Sequence, residues 1–441
     1  MLQPEHRFYG ASQPLLNETV TNEDLKLLMT PEQSMHDAIQ ILRHIQIQEL
    51  GCSVDRTSFE YCPVITVGGS YPGFLSAMMR VVHPEVVDVS YAASAPMKFY
   101  SQHVNPAAYY DHITVVAERA SEGCAEAVEE TLNAVMEDLK EEGVDSIQEV
   151  AASLGICSSS IPPYALASPK VFGEELMMVV GFTFANYNMA YYPPDSNSKL
   201  YMACQIFQND ALDTSMKMQQ FLGGIQAVPG LGSRSNKGER EQHLLRGNKS
   251  NDPIEEQCVF DMSSQLPSGP NATITSGDWS GVGSGNNGRM WDFQTCSLLI
   301  EQIGFSKESM FPTRDWTFGW LNEHCLSRFD IVPDPTALTN KWHFDDLVER
   351  AKASRILFTN GLNDGWSVSG IRQHLSDDIL ALNFVNGAHH SDLSLLGPSS
   401  HDTDDVTQGF VEIRRILELW IAEVKEESIN NPDTRISLLN S

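Results

Sequence analysis

Short apolar runs and a helical pattern alternate in the first hundred residues. Residues 63–67 form an apolar run that ends at two glycines, which is typical of a buried strand followed by a tight turn. Residues 74–82 have the pattern of a helix, and residues 86–92 predict the next strand. A strand, a helix and a second strand in this order predict a parallel sheet, because parallel strands need a long crossover connection.

The pattern changes between about residues 105 and 225. Residues 118–142 are rich in Ala, Glu, Leu and Met and contain few helix breakers, so they predict a helix or a helix pair. No convincing series of strands occurs in this part of the sequence, which indicates a helical insertion. Residues 229–288 are rich in Gly, Ser and Asn and predict a long loop or linker.

Strand patterns return late in the chain, at residues 355–359 and 379–385. Apolar residues then repeat at helical spacing from Phe410 to Val424, which predicts an amphipathic last helix. We therefore expect four parts: residues 1–104 with the first strands, residues 105–290 as a helical insertion and linker, residues 291–425 with the last strands, and residues 426–441 as a polar, frayed tail.

Composition and charge narrow the range of functions. The 441 residues are 41% hydrophobic and 20% charged, which is typical of a globular protein with a large core. Asp and Glu total 58 against 29 Lys and Arg, and a formal net charge of -29 makes nucleic acid a poor partner. No apolar run approaches the ~18 residues that a membrane span needs. No signal peptide is visible at the start of the sequence.

Ser70 lies between a predicted strand and a predicted helix, within the segment Gly68-Gly69-Ser70-Tyr71-Pro72-Gly73. This is the context of a nucleophile elbow, whose sharp turn needs small neighbours and lifts the serine hydroxyl clear of the backbone. The backbone N–H of Tyr71 is then a candidate oxyanion donor. The alternative is a glycine-rich turn with an idle serine. Pro72 replaces the last glycine of the G-x-S-x-G pattern, and the first turn of a helix tolerates proline.

An aspartate and a histidine follow the two late strands. Asp364 lies in N-G-L-N-D-G-W after the strand at 355–359, and His389 lies in G-A-H-H-S-D after the next strand. Each residue alone has a plain alternative, since turns favour Asp and the two histidines could lie in an exposed loop. A serine, an aspartate and a histidine in this order, each beyond a strand, are typical of α/β-hydrolase triads. Such a triad requires neither a metal nor a cofactor.

Six segments of the chain occur in the order of one known family. They are E-H-R-F-Y-G-A-S at 5–12, G-G-S-Y-P-G at 68–73, A-S-A-P at 93–96, W-D-F-Q-T-C at 291–296, N-G-L-N-D-G-W at 360–366 and G-A-H-H-S-D-L at 387–393. Together they resemble the family of serine peptidases that contains lysosomal prolyl carboxypeptidase, dipeptidyl peptidase II and the thymus-specific serine protease. The helical middle of the chain resembles this family only loosely.

The resemblance implies an α/β-hydrolase fold with a helical cap domain inserted after the nucleophile, and a serine exopeptidase that cleaves peptides after proline through an acyl-enzyme. It implies that His389, and not His390, is the base, and that Phe74 and Trp366 line a proline pocket. In that family a signal peptide and a glycine-rich strand precede the E-H-R segment. We therefore expect N-terminal strands to be missing from this sequence, and the resemblance implies a lysosomal, vacuolar or secreted protein.

Eight cysteines and three glycosylation sequons, at Asn17, Asn248 and Asn271, favour an oxidising compartment. No cysteine lies in a CxxC pair, so we predict no zinc site. The resemblance implies two disulfides, Cys296 with Cys325 and Cys204 with Cys258. It leaves open whether Cys124 and Cys157 pair, and Cys52 and Cys62 match no family cysteine.

Asp292 bears on the choice between the two exopeptidase activities of the family. A dipeptidyl peptidase must bind the free amine of its substrate, which calls for a carboxylate, whereas a carboxypeptidase needs a cationic or N–H-rich group. Dipeptidyl peptidase II has an aspartate directly after the tryptophan of its W-D-Y-Q-x-C segment, and this chain has Trp291-Asp292. We therefore favour dipeptidyl peptidase activity and expect Asp292 to face the Ser70 cleft. The alternative is an ordinary loop acid.

Other functions remain open at this point. A catalytically impaired fragment, or a non-catalytic binding protein on the same fold, would carry the same motifs without the reaction. A third hypothesis is an esterase on this fold. The segment at 291–296 argues against it. The sequence also leaves open whether the protein forms a homodimer.

Overall fold

The structure, a computed structural model, describes residues 1–15, 19–140, 144–226, 258–265, 279, 288–393 and 398–430. The predicted glycosylation sites Asn17, Asn248 and Asn271 and most of the predicted linker lie outside the described residues. The strands are β1 Ile65–Gly69, β2 Val89–Ala93, β3 Ile356–Gly361 and β4 Ile379–Phe384.

The helices lie before, between and after these strands. In the first half of the chain they are α1 Asn22–Leu28, α2 Pro31–His44, α3 Tyr71–Val82, α4 Met97–Tyr100, α5 Ala108–Ala120, α6 Cys124–Asp138, α7 Val144–Ser153, α8 Pro169–Met189, α9 Lys199–Phe207 and α10 Thr214–Gln226. In the second half they are α11 Gly288–Ser297, α12 Phe318–Phe329, α13 Ala337–Trp342 and α14 Asp404–Asn430. None of the described helices is long and apolar enough to span a membrane.

The four strands form one parallel sheet in the order β1-β2-β3-β4, which confirms the predicted parallel sheet. β2 and β3 are buried along their whole length, as expected for inner strands of a sheet covered by helices. α3 packs against β1 and β2, and α14 packs against β2 and β4. Because all strands run in the same direction, the segments after their carboxyl ends meet at one edge of the sheet.

The chain divides into two compact units. Unit 1 contains Met1–Val104, Cys296–Ile300 and Phe329–Ser441, and unit 2 contains Asn105–Thr295 and Glu301–Arg328. Unit 1 holds the sheet. The described part of unit 2 is helical and has no strand beyond isolated bridges. Its core is built on α8, a helix that is apolar on most of its surface and almost wholly buried, against which α5, α6 and α9 pack.

Residues 301–328 lie in unit 2, whereas they were expected from the sequence to belong with the last strands. Contacts with α5 and with the residues just before it hold this segment in place. The Gly304 N–H donates to the Pro106 carbonyl at 2.9 Å, and the Phe305 ring lies 4.3 Å from the ring of Tyr110 in an edge-on contact. These contacts join residues far apart in sequence, so local patterns did not reveal them.

The disulfides differ in part from those that the family resemblance implied. Cys124 pairs with Cys204, with Cα atoms 5.1 Å apart, and Cys157 pairs with Cys258, with Cα atoms 5.0 Å apart. The implied pairing of Cys204 with Cys258 is therefore wrong, because α6 packs on α9 and brings Cys124 to Cys204. Cys52 pairs with Cys62 and closes a short loop before β1. Cys296 and Cys325 are also disulfide-bonded.

Candidate active site

Ser70 lies at the junction of β1 and α3 in a strained backbone conformation. Its φ is 62° and its ψ is -131°, a region that residues with a side chain rarely adopt. The Ser70 N–H donates to the Ala93 carbonyl at 2.9 Å, and the Ser70 carbonyl accepts from the Phe74 N–H at 3.0 Å. The turn is thus held between β2 and the first turn of α3. This is the geometry of a nucleophile elbow, which presents the serine hydroxyl beyond the strand.

The glycines around Ser70 are required by close backbone contacts. A Cβ atom on Gly68 would lie 2.1 Å from the Pro72 carbonyl oxygen, and one on Gly73 would lie 2.7 Å from the Ala93 carbonyl oxygen. Pro72 lies in the first turn of α3, where a missing N–H removes no intrahelical bond. The departure from the G-x-S-x-G pattern therefore leaves the turn intact.

Asp364 and His389 are joined by a short hydrogen bond. Asp364 is fully buried just after β3, and its Oδ1 accepts the Trp366 N–H at 3.0 Å. Its Oδ2 lies 2.6 Å from Nδ1 of His389, whose side chain is 9% exposed. A carboxylate at this position holds the proton on Nδ1, so the lone pair of the neutral ring is on Nε2. The pair can thus present a basic nitrogen with a defined orientation.

His390 is the neighbour from which the base has to be distinguished. Its ring lies 4.4 Å from that of His389, and burial together with the nearby His389 lowers the pKa of His390 to about 4. Its ring packs against Gly69, where an added Cβ would lie 2.9 Å from the His390 Cδ2. The hydrogen bond to Asp364 is made by His389. The geometry thus favours His389 as the base, as the family resemblance implied.

Two hydroxyl groups of the β2 region hold the loop that carries both histidines. Ser94 Oγ accepts the His390 N–H at 2.9 Å, and the Tyr91 O–H donates to Asp392 Oδ2 at 2.5 Å. Asp392 is buried, and burial raises the pKa of its carboxyl group. Ser94 and Asp392 lie in segments that resemble the family, but their role in holding this loop was not predicted from the sequence. The available signal was a tyrosine in the buried strand β2 and an aspartate three residues after His389.

The two predicted pocket residues lie in aromatic surroundings within unit 1. Trp366 is 2% exposed and its ring lies 6.4 Å from that of His389 and 5.7 Å from that of Phe99. Phe74 is fully buried, and its ring lies 4.8 Å from the ring of Tyr100. Trp366 is therefore next to His389, whereas Phe74 lies on α3 after Ser70. Their role in binding proline stays a prediction.

Asp292 lies in unit 2 inside a buried ionic cluster. It is fully buried, with Oδ1 2.9 Å from Nε2 of His324 and Oδ2 2.9 Å from Nε of Arg328. The His324 and Arg328 side chains are 9% and 7% exposed, so the whole cluster is shielded from water. Asp292 is thus not an ordinary loop acid. Its contact with a substrate amine stays a prediction.

The chain resembles known proteins along most of its length. It matches the family described as Serine carboxypeptidase S28 over residues 1–410. The Lysosomal Pro-X carboxypeptidase of Mus musculus is 25% identical over 427 residues, which cover 95% of this chain and 75% of the relative. The Homo sapiens protein of the same name is 23% identical over 397 residues, which cover 88% and 68%. The Thymus-specific serine protease of Mus musculus is 26% identical over 439 residues, which cover 96% and 74%.

Proposed function

Because the chain belongs to the serine carboxypeptidase S28 family, whose members are serine peptidases with an α/β-hydrolase fold and a cap, we propose that it is an exopeptidase that cleaves peptides after proline. Membership makes the chain a serine-type hydrolase with peptide substrates. The single observation that carries the proposal is the hydrogen bond between Asp364 and His389, at the sheet edge where the strained Ser70 also lies.

Each residue of the proposed triad has one task. Nε2 of His389 takes the proton of Ser70 as the serine oxygen bonds to the carbonyl carbon of the substrate. The carbon–nitrogen bond then breaks, and His389 gives the proton to the leaving amine. Water hydrolyses the acyl-enzyme by the same route and restores Ser70. Asp364 keeps His389 in the required tautomer, and the Tyr71 N–H donates to the oxyanion.

Labelling with a fluorophosphonate probe tests this proposal directly. We expect the probe to modify the intact protein and the labelled peptide to contain Ser70, because the probe reacts with serines that a base activates. Ser70→Ala is expected to lose the label. An unlabelled but folded wild-type protein would instead support the non-catalytic binding protein. A labelled protein that hydrolyses simple esters but no peptide would support the esterase.

The direction of cleavage depends on which end of the substrate is recognised. The dipeptidyl peptidase direction, predicted from Asp292, requires the substrate ammonium to compete with Arg328 for a buried carboxylate. A carboxylate that is already paired with a cation attracts a second cation much less strongly. The names of the mammalian relatives, Pro-X carboxypeptidase, favour the carboxyl end. We therefore propose removal of a C-terminal residue after proline as the direction to test first.

Two pairs of peptides separate the directions. The first pair has proline second from the N-terminus, with a free or an acetylated amine. The second pair has a penultimate proline before the C-terminus, with a free carboxylate or an amide. A carboxypeptidase cleaves only the free-carboxylate member of the second pair. Cleavage of only the free-amine member of the first pair would support the dipeptidyl direction and the role of Asp292.

The compartment is a further part of the proposal. We place the protein in the lysosome or a related compartment, or outside the cell. The bonded state of all eight cysteines supports an oxidising assembly route, and several relatives are named lysosomal. Fractionation of cells that express the full gene tests this. Recovery in the cytosol with reduced cysteines would contradict it.

A further inference from the structure

The segment at residues 5–12 is held in place by two charged side chains. The Glu5 carboxylate accepts the N–H groups of Ala11 and Ser12 at 2.9 and 2.8 Å, which closes the segment on itself. The Arg7 guanidinium makes two bonds of 2.6 Å to the Asp37 carboxylate on α2. A bidentate pair of this kind fixes both distance and orientation. Glu5 and Arg7 are thus occupied in holding the segment.

His6, between them, reaches the residue that follows the nucleophile. Its Nε2 lies 3.2 Å from the hydroxyl oxygen of Tyr71, and its Nδ1 lies 2.7 Å from the Arg7 carbonyl oxygen. A carbonyl oxygen only accepts, so Nδ1 carries the proton in the neutral ring. Nε2 therefore accepts, and the Tyr71 hydroxyl donates. Burial lowers the pKa of His6, which favours this neutral form.

Tyr71 links this contact to the reaction. It is the first residue of α3, directly after Ser70, and its side chain is largely buried. The N–H groups in the first turn of a helix have no carbonyl partner within the helix, so they can serve an oxyanion. Such a donor stabilises the transition state only if its direction is fixed beforehand. A side chain held at its hydroxyl restricts rotation of the residue and therefore of its peptide N–H.

We propose that His6 is a positioning residue that fixes Tyr71, and through Tyr71 the oxyanion donor beside Ser70. The inference rests on the proposed function, because it uses the role given there to the Tyr71 N–H. His6 acts through Tyr71 and does not touch the substrate. Its removal is therefore expected to lower kcat and to leave KM nearly unchanged, since the oxyanion bond is made in the transition state.

The experiment compares His6→Ala, His6→Gln, Tyr71→Phe and the double variant His6→Ala/Tyr71→Phe in the full chain. We expect His6→Ala to lower kcat roughly 3- to 10-fold, the range expected for one hydrogen bond. His6→Gln keeps an acceptor for the Tyr71 hydroxyl and is expected to recover part of this loss. The double variant is expected to be no slower than Tyr71→Phe, because both changes remove the same contact. His83→Ala, a half-buried histidine at the end of α3, is the control for a general loss of packing.

Two results would overturn the inference. One is an equal fall in kcat for His6→Ala in the wild-type and the Tyr71→Phe backgrounds, which would mean that His6 does not act through Tyr71. The other is a rise in KM at constant kcat, which would indicate a substrate contact. If His6→Ala does not fold, the change in kcat caused by His6→Gln is compared in the wild-type and the Tyr71→Phe backgrounds instead. Failure of the proposed function is recognised separately, by a wild-type protein that the fluorophosphonate probe does not label.

Discussion

The Tyr91 hydroxyl donates to the buried carboxyl group of Asp392, three residues after His389, at a distance of 2.5 Å. Tyr91 lies on β2, so this bond ties the loop that carries His389 to an inner strand of the sheet. With the Ser94 contact to the His390 N–H, it holds the loop at two points. The position of His389, the proposed base, therefore depends on two hydroxyl groups, one from β2 and one from the residue that follows it.

The first prediction concerns the charge of Asp392. Burial raises the pKa of this carboxyl group, so the fold favours its protonated form. Its contribution to stability is complete below the pKa of the unfolded chain and is lost as the pH rises toward the folded pKa. The Asp392→Asn variant does not lose stability in this way, because an amide does not ionise, and its amide oxygen still accepts from the Tyr91 hydroxyl. The melting temperature of Asp392→Asn relative to wild type should rise as the pH increases above about 4.

Activity measurements complete this test. Asp392→Asn is expected to stay active because the acceptor for Tyr91 remains, whereas Asp392→Ala and Tyr91→Phe are expected to lower kcat about 3- to 10-fold, the range of one hydrogen bond. A melting temperature that differs from wild type by the same amount at every pH would contradict the raised pKa. Loss of activity in Asp392→Asn at unchanged stability would show that the ionised form is needed.

The second prediction distinguishes the two histidines. Ser70→Ala and His389→Ala are each expected to lower kcat on the order of 10⁴-fold or more, because the members of a triad act as a unit. His390→Ala is the matched control and is expected to be mild, since His390 is neutral at neutral pH, with a pKa of about 4, and the bond to Asp364 belongs to His389. Steady-state kinetics with one proline peptide measure all three. A severe loss in His390→Ala with a mild loss in His389→Ala would reverse the assignment.

The third prediction concerns the glycine before the elbow. Gly68→Ala places a Cβ 2.1 Å from the Pro72 carbonyl oxygen, and backbone cannot yield as a flexible side chain can. We expect a loss of at least ~2 kcal/mol of stability and loss of fluorophosphonate labelling. Gly224→Ala is the control, because Gly224 lies in α10 and an added Cβ there would meet no atom within 4 Å. There alanine is expected to be neutral or to stabilise by up to ~1 kcal/mol. Equal effects of the two changes would contradict the packing argument.

The fourth prediction concerns the disulfides of unit 2. Peptide mapping without reduction should recover Cys124 linked to Cys204 and Cys157 linked to Cys258. Cys204→Ser should expose one reactive thiol, at Cys124, and should lower stability by about 2–5 kcal/mol, as for other long disulfide loops. Cys258→Ser should instead expose Cys157. A peptide that links Cys204 to Cys258 would restore the pairing that the family resemblance implied.

The sheet was largely predictable from local patterns, although its boundaries were not. β1 was predicted at residues 63–67 and lies at Ile65–Gly69, because Gly68 and Gly69 pair with Ala92 and Ala93 before the turn begins. The last helix was predicted to end near residue 424 and continues to Asn430. Glycines and polar residues were interpreted by their local preference, whereas pairing with a neighbouring strand or helix decided where each element ends.

The sequence by itself determined the order of strands and turns and indicated Ser70, Asp364 and His389 as triad candidates, because hydrophobic period and turn chemistry act between neighbours in the chain. Only the tertiary structure decided which distant groups meet: Cys124 with Cys204, Asp292 with Arg328, Tyr91 with Asp392 and His6 with Tyr71. Such contacts depend on how whole elements pack, and many pairings satisfy the same local pattern. The candidate triad was thus predicted from motifs, whereas the groups that hold its residues in place were not.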